Sequence, residues 1–196
     1  FNKKSSKHII LCHSLGGLIT LSGILLPHFK ISYPLHGIIL SSPCIRPHVF
    51  LRSFSYSLAE KINLLSPKLH LPMIYSGKDL TSDILRANDF ETDPLIPKFM
   101  SAGMLKAIFD AGERIKGESY YLNTPSLFLV SGDDKIVDSR STLRYTQGIE
   151  KKYLKLKYYE HLKHELWNEK DRFVIFEDMK LWIDQFLKPE KTKRSS

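Results

Sequence analysis

The sequence predicts an α/β fold, a mainly parallel sheet flanked by helices with a helical cap inserted between its strands. Three observations carry this. Residues 8–43 read as strand, helix, strand, which is a βαβ unit and implies parallel pairing. A long middle stretch then turns to amphipathic helical segments punctuated by Pro67, Pro72, Pro94 and Pro97. After it, two further β-rich runs each lead into a polar loop, and a final helical run follows.

Taken in order, His8-Ile9-Ile10-Leu11-Cys12 is the first strand, and Leu15 to Leu26 has the length and apolarity of a core helix, closed by Pro27. Between them Ser14-Leu15-Gly16-Gly17 needs a tight turn, and its glycines let the helix lie close to neighbouring strands. Gly37 to Leu40 is a second short apolar run, ending in the turn residues Ser41-Ser42-Pro43. From about Ile45 to about Tyr121 no convincing strand series is visible, and the clearest helices are Leu51–Leu65 and Phe99–Ile115. The sheet resumes at Pro125 to Ser131, followed at once by Gly132-Asp133-Asp134, and again at Leu154 to Tyr159, followed by His161 to Leu166. A last helix covers Arg172 to Leu187. The expected divisions are 1–45 (core with the serine turn), 46–121 (helical cap), 122–187 (core with two loops) and 188–196 (a frayed polar tail).

Composition narrows the function classes. At 196 residues the chain suits one domain, with or without an inserted subdomain, and 42% hydrophobic against 26% charged residues is ordinary globular composition. Its two cysteines, Cys12 and Cys44, lie in or beside predicted core strands and read as reduced buried thiols. The net charge of +8 permits weak association with an anionic membrane surface. It does not favour nucleic acid, because the basic residues are scattered and no helix carries a basic stripe interleaved with stacking aromatics. No run reaches the roughly 18 apolar residues of a membrane-spanning helix. No signal-peptide pattern is visible at Phe1, so the expected location is cytoplasmic, with peripheral attachment to a membrane as an option. The abrupt entry into a core strand leads us to expect an upstream portion.

The chemistry lies in three loops. A serine hydroxyl becomes a useful nucleophile when a histidine takes its proton, and that imidazole needs a carboxylate to hold its tautomer. Ser14, Asp133 or Asp134, and His164 each follow the C-terminus of a predicted strand, in the order serine, acid, histidine. A zinc site is not favoured, since Asn168 stands where a His-Glu-x-x-His helix would place its second histidine.

Cys12-His13-Ser14-Leu15-Gly16-Gly17, Gly132 to Asp138 and His164-Glu165-Leu166-Trp167-Asn168-Glu169 together resemble the three catalytic blocks of the monoacylglycerol lipase and lysophospholipase branch of the α/β-hydrolases, a serine aminopeptidase S33-like group. Ser66-Pro67-Lys68-Leu69, Asp79 to Asp83 and Asp93-Pro94-Leu95 resemble that branch's cap. The likeness covers about residues 7–187. It implies Ser14 as nucleophile, His164 as general base, Asp134 as the orienting acid (Asp133 being the rival, and Asp138 a local loop residue), and the Leu15 N–H as one oxyanion donor. His13 is then positional, and no cofactor or metal is required. The resemblance also implies that the family's early strands, and the His-Gly loop that gives the second oxyanion donor, precede Phe1.

One residue departs from the family pattern. Cys12 occupies the place of the elbow's usual first glycine, a position that calls for a small side chain. The function implied is hydrolysis of carboxylic esters of lipids with one acyl chain, a monoacylglycerol or a lysophospholipid, through a Ser-Asp-His triad and an acyl-enzyme. The alternative is a non-catalytic ligand-binding module on the same skeleton.

Overall fold

The computed structural model describes residues 7–26, 34–47, 56–73 and 75–187. The proposed helix stop at Pro27, residues 51–55 of the second predicted helix and the tail from 188 lie outside them.

Four parallel strands form the main sheet: β1 (His8–His13), β2 (Leu35–Ser41), β5 (Ser126–Ser131) and β6 (Leu154–Tyr159), in the order β1-β2-β5-β6. The helix α1 (Leu15–Leu25) makes the first crossover and α6 (Ser139–Thr146) the last. The long crossover from β2 to β5 holds α2 (Tyr56–Leu65), β3 (His70–Pro72), α3 (Gly77–Leu80), α4 (Ile84–Thr92), β4 (Phe99–Ser101) and α5 (Ala102–Ile115), and α7 (Arg172–Leu187) follows β6.

Side chains of the central strands alternate between two cores, as a pleat requires. Ile38, Leu40, Phe128 and Val130 join Leu18 and Leu21 of α1, Ile108 and Ile115 of α5 and Tyr145 of α6 on one face. Ile39, Leu127 and Leu129 meet Ile175 and Trp182 of α7 on the other. Every residue of β5 is buried, so the run Ser-Leu-Phe-Leu-Val-Ser is continuously apolar at its centre because both faces are covered. Each such side chain is worth about 1.5–3 kcal/mol by removal from water.

The crossover departs from expectation in one respect. β3 and β4 pair antiparallel, His70 with Ser101 and Pro72 with Phe99, where only helix was expected. The expected Phe99–Ile115 helix therefore begins at Ala102, with Ser101 as its N-cap, its side chain accepting from the Met104 N–H. A three-residue strand carrying a proline lacks the alternation that would announce it. Gly17 has its expected role: a Cβ there would stand 2.7 Å from Pro43 Cβ, so the glycine sets how closely α1 approaches the loop after β2. At Gly16 the nearest atom, Cys12 Cβ, would be 3.7 Å away, which is ordinary contact.

Candidate active site

Ser14 occupies the corner between β1 and α1 with φ 51° and ψ −119°, a left-handed backbone that costs a non-glycine residue about 1–3 kcal/mol. Three main-chain hydrogen bonds hold it there. Its N–H donates to the Ser41 carbonyl at 2.9 Å, and its carbonyl accepts from the N–H groups of Gly17 and Cys44, each at 2.9 Å. The corner turns the serine side chain out of the sheet and toward the loops beyond the carboxyl ends of β5 and β6.

From those loops come the other two expected groups. His164 Nε2 lies 2.9 Å from Ser14 Oγ, and its Nδ1 lies 2.8 Å from Asp134 Oδ2. The His164 and Asp134 side chains are 4% and 0% exposed, so this contact is shielded from water. Asp134 Oδ1 accepts from the N–H groups of Ile136 and Val137 at 2.8 and 2.9 Å, which fixes the carboxylate with its other oxygen aimed at the ring. Asp133, the rival in the sequence, instead pairs with Lys135 at 2.6 Å on the surface. Asp138 caps α6, accepting from the Arg140 and Ser141 N–H groups. Leu15 is the first residue of α1, so its N–H is one of those at a helix start that have no intrahelical acceptor.

His13 completes the wall. Its Nδ1 is 3.2 Å from Ser41 Oγ, and its ring centroid is 4.8 Å from that of His164 and 5.4 Å from that of Trp167. Burial, and then the neighbouring His164, push its pKa down to about 4, so it stands neutral beside the other imidazole. Burial raises the Cys12 thiol to about 11 and the Cys44 thiol to about 12, which keeps both protonated and unreactive at neutral pH. Cys12 Sγ donates to the Ile39 carbonyl at 3.2 Å, so a small polarisable side chain fills the place beside β2. His161 is exposed beside Glu160, far from the chemistry in character.

Two further residues support the histidine loop, and neither was singled out from the sequence for that task. Ser42, also left-handed with φ 41°, donates its hydroxyl to the His164 carbonyl at 2.8 Å. Ser131, the last residue of β5, donates its hydroxyl to the carbonyls of Leu162 and Lys163. Serines at strand C-termini were the only signal, and they read equally well as turn residues. Glu169, fully buried, braces the same loop, accepting from the Lys163 N–H at 2.8 Å, the Ser82 N–H at 3.0 Å and the Ser82 hydroxyl.

A parallel sheet covered on both faces, with a serine on a strained strand-to-helix corner and a histidine and carboxylate gathered at neighbouring strand ends, defines an α/β-hydrolase. The chain belongs to the serine aminopeptidase S33 family of hydrolases (Hydrolase_4), whose model matches residues 1–171.

Phospholipase YtpA of Bacillus subtilis is 25% identical over 181 residues, which cover 91% of this chain and 68% of that protein. The monoacylglycerol lipase of Mycolicibacterium smegmatis is 23% identical over 181 residues, 89% of this chain and 61% of the relative. Among solved structures, the Paleococcus ferrophilus monoacylglycerol lipase superposes with a TM-score of 0.78 at 22% identity, covering 91% of this chain and 69% of that one. A soluble variant of the Saccharomyces cerevisiae monoglyceride lipase, in complex with a substrate analog, gives 0.77 at 23% identity, covering 91% and 62%. These two likenesses bear on the fold.

Proposed function

We propose that the protein is a serine hydrolase that cleaves carboxylic esters of lipids carrying a single acyl chain. The observation that carries the reading is the continuous hydrogen-bond line from Ser14 Oγ through His164 to Asp134, at 2.9 and 2.8 Å. Membership of a hydrolase family and relatives named as a phospholipase and monoacylglycerol lipases support the substrate class.

In the proposed reaction His164 Nε2 takes the Ser14 hydroxyl proton as Oγ attacks the ester carbonyl carbon, and the negative oxygen is met by the Leu15 N–H. The tetrahedral intermediate expels the alcohol, which leaves with the proton from His164, and an acyl-Ser14 ester remains. Water, deprotonated by the same imidazole, then attacks that ester and releases the fatty acid. Asp134 holds Nδ1–H in place and stabilises the imidazolium without itself taking the proton. Triad chemistry of this kind needs no cofactor. We read residues 46–121 as the cap over the strand ends, because Leu80 to Ser82 bond directly to the histidine loop: the Glu165 N–H donates to the Leu80 carbonyl at 2.8 Å and the Thr81 hydroxyl to the Asn168 carbonyl at 2.8 Å. Attachment to a membrane surface through the net charge of +8 is part of the same proposal. Among the described residues no helix is long and apolar enough to cross a membrane.

A fluorophosphonate probe tests the reading directly. The expected result is covalent labelling that disappears in Ser14→Ala, together with release of fatty acid from a monoacylglycerol. Labelling that survives Ser14→Ala would sink it, and lipid binding without labelling or turnover would favour the non-catalytic module instead.

A further inference from the structure

The facing sides of α1 and α5 leave between them a groove of about 360 Å³. Its walls are apolar, with Leu15, Leu18 and Ile19 from one helix and Met104, Ala107 and Ile108 from the other, spaced three and four apart as a helical stripe must be. Two polar side chains also line it, Ser22 and Arg114. The Ser22 hydroxyl oxygen is shut off from solvent and has no hydrogen-bond partner among the described residues, an orphan donor of the kind that folded proteins seldom leave. Arg114 is exposed and carries no ion pair among them.

Direction follows from topology. α1 leaves the carboxyl end of β1 and α5 leads back toward the amino end of β5, so both helices run away from the elbow. With a rise of about 1.5 Å per residue, Ser22 lies about 10 Å beyond Leu15, and Arg114 about 15 Å beyond Met104. The groove is therefore apolar at its elbow end, and Ser22, Leu26 and Arg114 lie toward its distal end, where Arg114 is the one charged group lining it among the described residues.

From this arrangement we infer that the groove is a binding site for a long-chain carboxylate, a fatty acid anion lying with its head on Arg114 and its tail toward Leu15 and Met104. A guanidinium presents parallel N–H donors that match a carboxylate, whereas the Ser22 hydroxyl, shut off from solvent, lies out of the head group's reach. The tail would cover Ile19 and Met104, which are 63% and 43% exposed. The groove does not suit the acyl chain of an ester bound at Ser14, because that chain would lay its methyl end against a cation and strip it of water. The site is thus distinct from the proposed catalytic one. Its ligand has the chemistry of the fatty acid that the proposed reaction releases, although free fatty acid from solution would serve equally.

Isothermal titration with laurate, and with dodecanol as an uncharged molecule of the same chain length, tests the inference. Arg114→Gln is expected to weaken laurate binding at least about tenfold and leave dodecanol unchanged. Ala107→Phe, which puts a ring into the groove from an exposed position, should weaken both ligands. Ser14→Ala should bind laurate as the parent chain does, so the site stands even if the proposed hydrolysis fails, and binding in that variant identifies free fatty acid as a sufficient source. Laurate binding indifferent to both groove substitutions, or abolished by fluorophosphonate labelling of Ser14, would overturn it.

Discussion

Asp134 makes the most discriminating single substitution in the proposed triad, since its two oxygens have separate tasks. Oδ1 holds the turn through the Ile136 and Val137 N–H groups, and Oδ2 holds the His164 ring. Asp134→Asn keeps the shape and the turn but can present an N–H to Nδ1, which selects the wrong tautomer. We expect kcat to fall by about 10⁴-fold with the melting temperature little changed, and Ser14→Ala to lose at least as much. A steady-state assay on a monoacylglycerol beside a thermal melt checks both, and near-normal turnover in Asp134→Asn would remove the residue from the proposed triad.

His13 gives a prediction in pH. Its folded pKa of about 4 lies below the ordinary 6.5, so between these values the unfolded chain binds a proton that the folded one refuses. Stability from this residue is therefore complete above about pH 6.5 and is lost as pH falls toward about 4. His13→Gln should flatten the melting temperature over that window. Asp138 falls outside it: burial raises its pKa, but hydrogen bonds from Ser141 and Arg140 and the nearby Arg144 bring it net below the usual carboxylate value of 3.8. An unchanged slope in His13→Gln would mean that other groups carry the acid sensitivity.

At the scale of elements, two glycines of α1 make opposite predictions. Gly17→Ala would press a Cβ to 2.7 Å from Pro43 Cβ and 3.0 Å from Pro43 Cα, and backbone cannot yield cheaply, so a loss of about 1–3 kcal/mol in urea unfolding is expected. Gly23→Ala meets nothing within 4 Å and should instead add about 0.5–1 kcal/mol through helix propensity. The first outcome follows from a contact that links α1 to the loop after β2, and the second from backbone entropy alone.

The same elements show what a sequence can display. β5 and β6 were legible because burial on both faces gives the first a continuous apolar run, and because the second ends in the loop that carries His164. α1 was legible from its length and its glycines. β3 and β4 were not, since their partner is a non-local segment about thirty residues away and three residues hold too little pattern to declare a strand. The preference for Asp134 over Asp133 came from the resemblance and not from spacing, because adjacent residues in a turn point in different directions; in the fold it is Asp134 that faces His164.

For the molecule as a whole, a second buried carboxylate besides Asp134 ties the histidine loop to the β2-to-β5 crossover. Glu169 joins two places that are far apart in sequence, accepting from Lys163 within its own loop, next to His164, and twice from Ser82 in the β2-to-β5 crossover. Sequence reading could suggest that it braced its own loop, but its partner Ser82 is 87 residues away and visible only in the fold. Glu169→Gln would set an amide N–H₂ against one or more of those donors, leaving buried N–H groups unsatisfied at about 1–3 kcal/mol each. The consequence reaches activity, because Lys163 fixes the backbone that carries the His164 ring. We expect Glu169→Gln to lower both the urea midpoint and kcat/KM, whereas Ser82→Ala, which removes only the hydroxyl, should lower them less. In the double variant the two losses should fail to add by about 0.5–3 kcal/mol, the mark of a shared contact. Strict additivity would mean that the crossover and the histidine loop are held independently, and that the position of His164 does not depend on the segment lying over it.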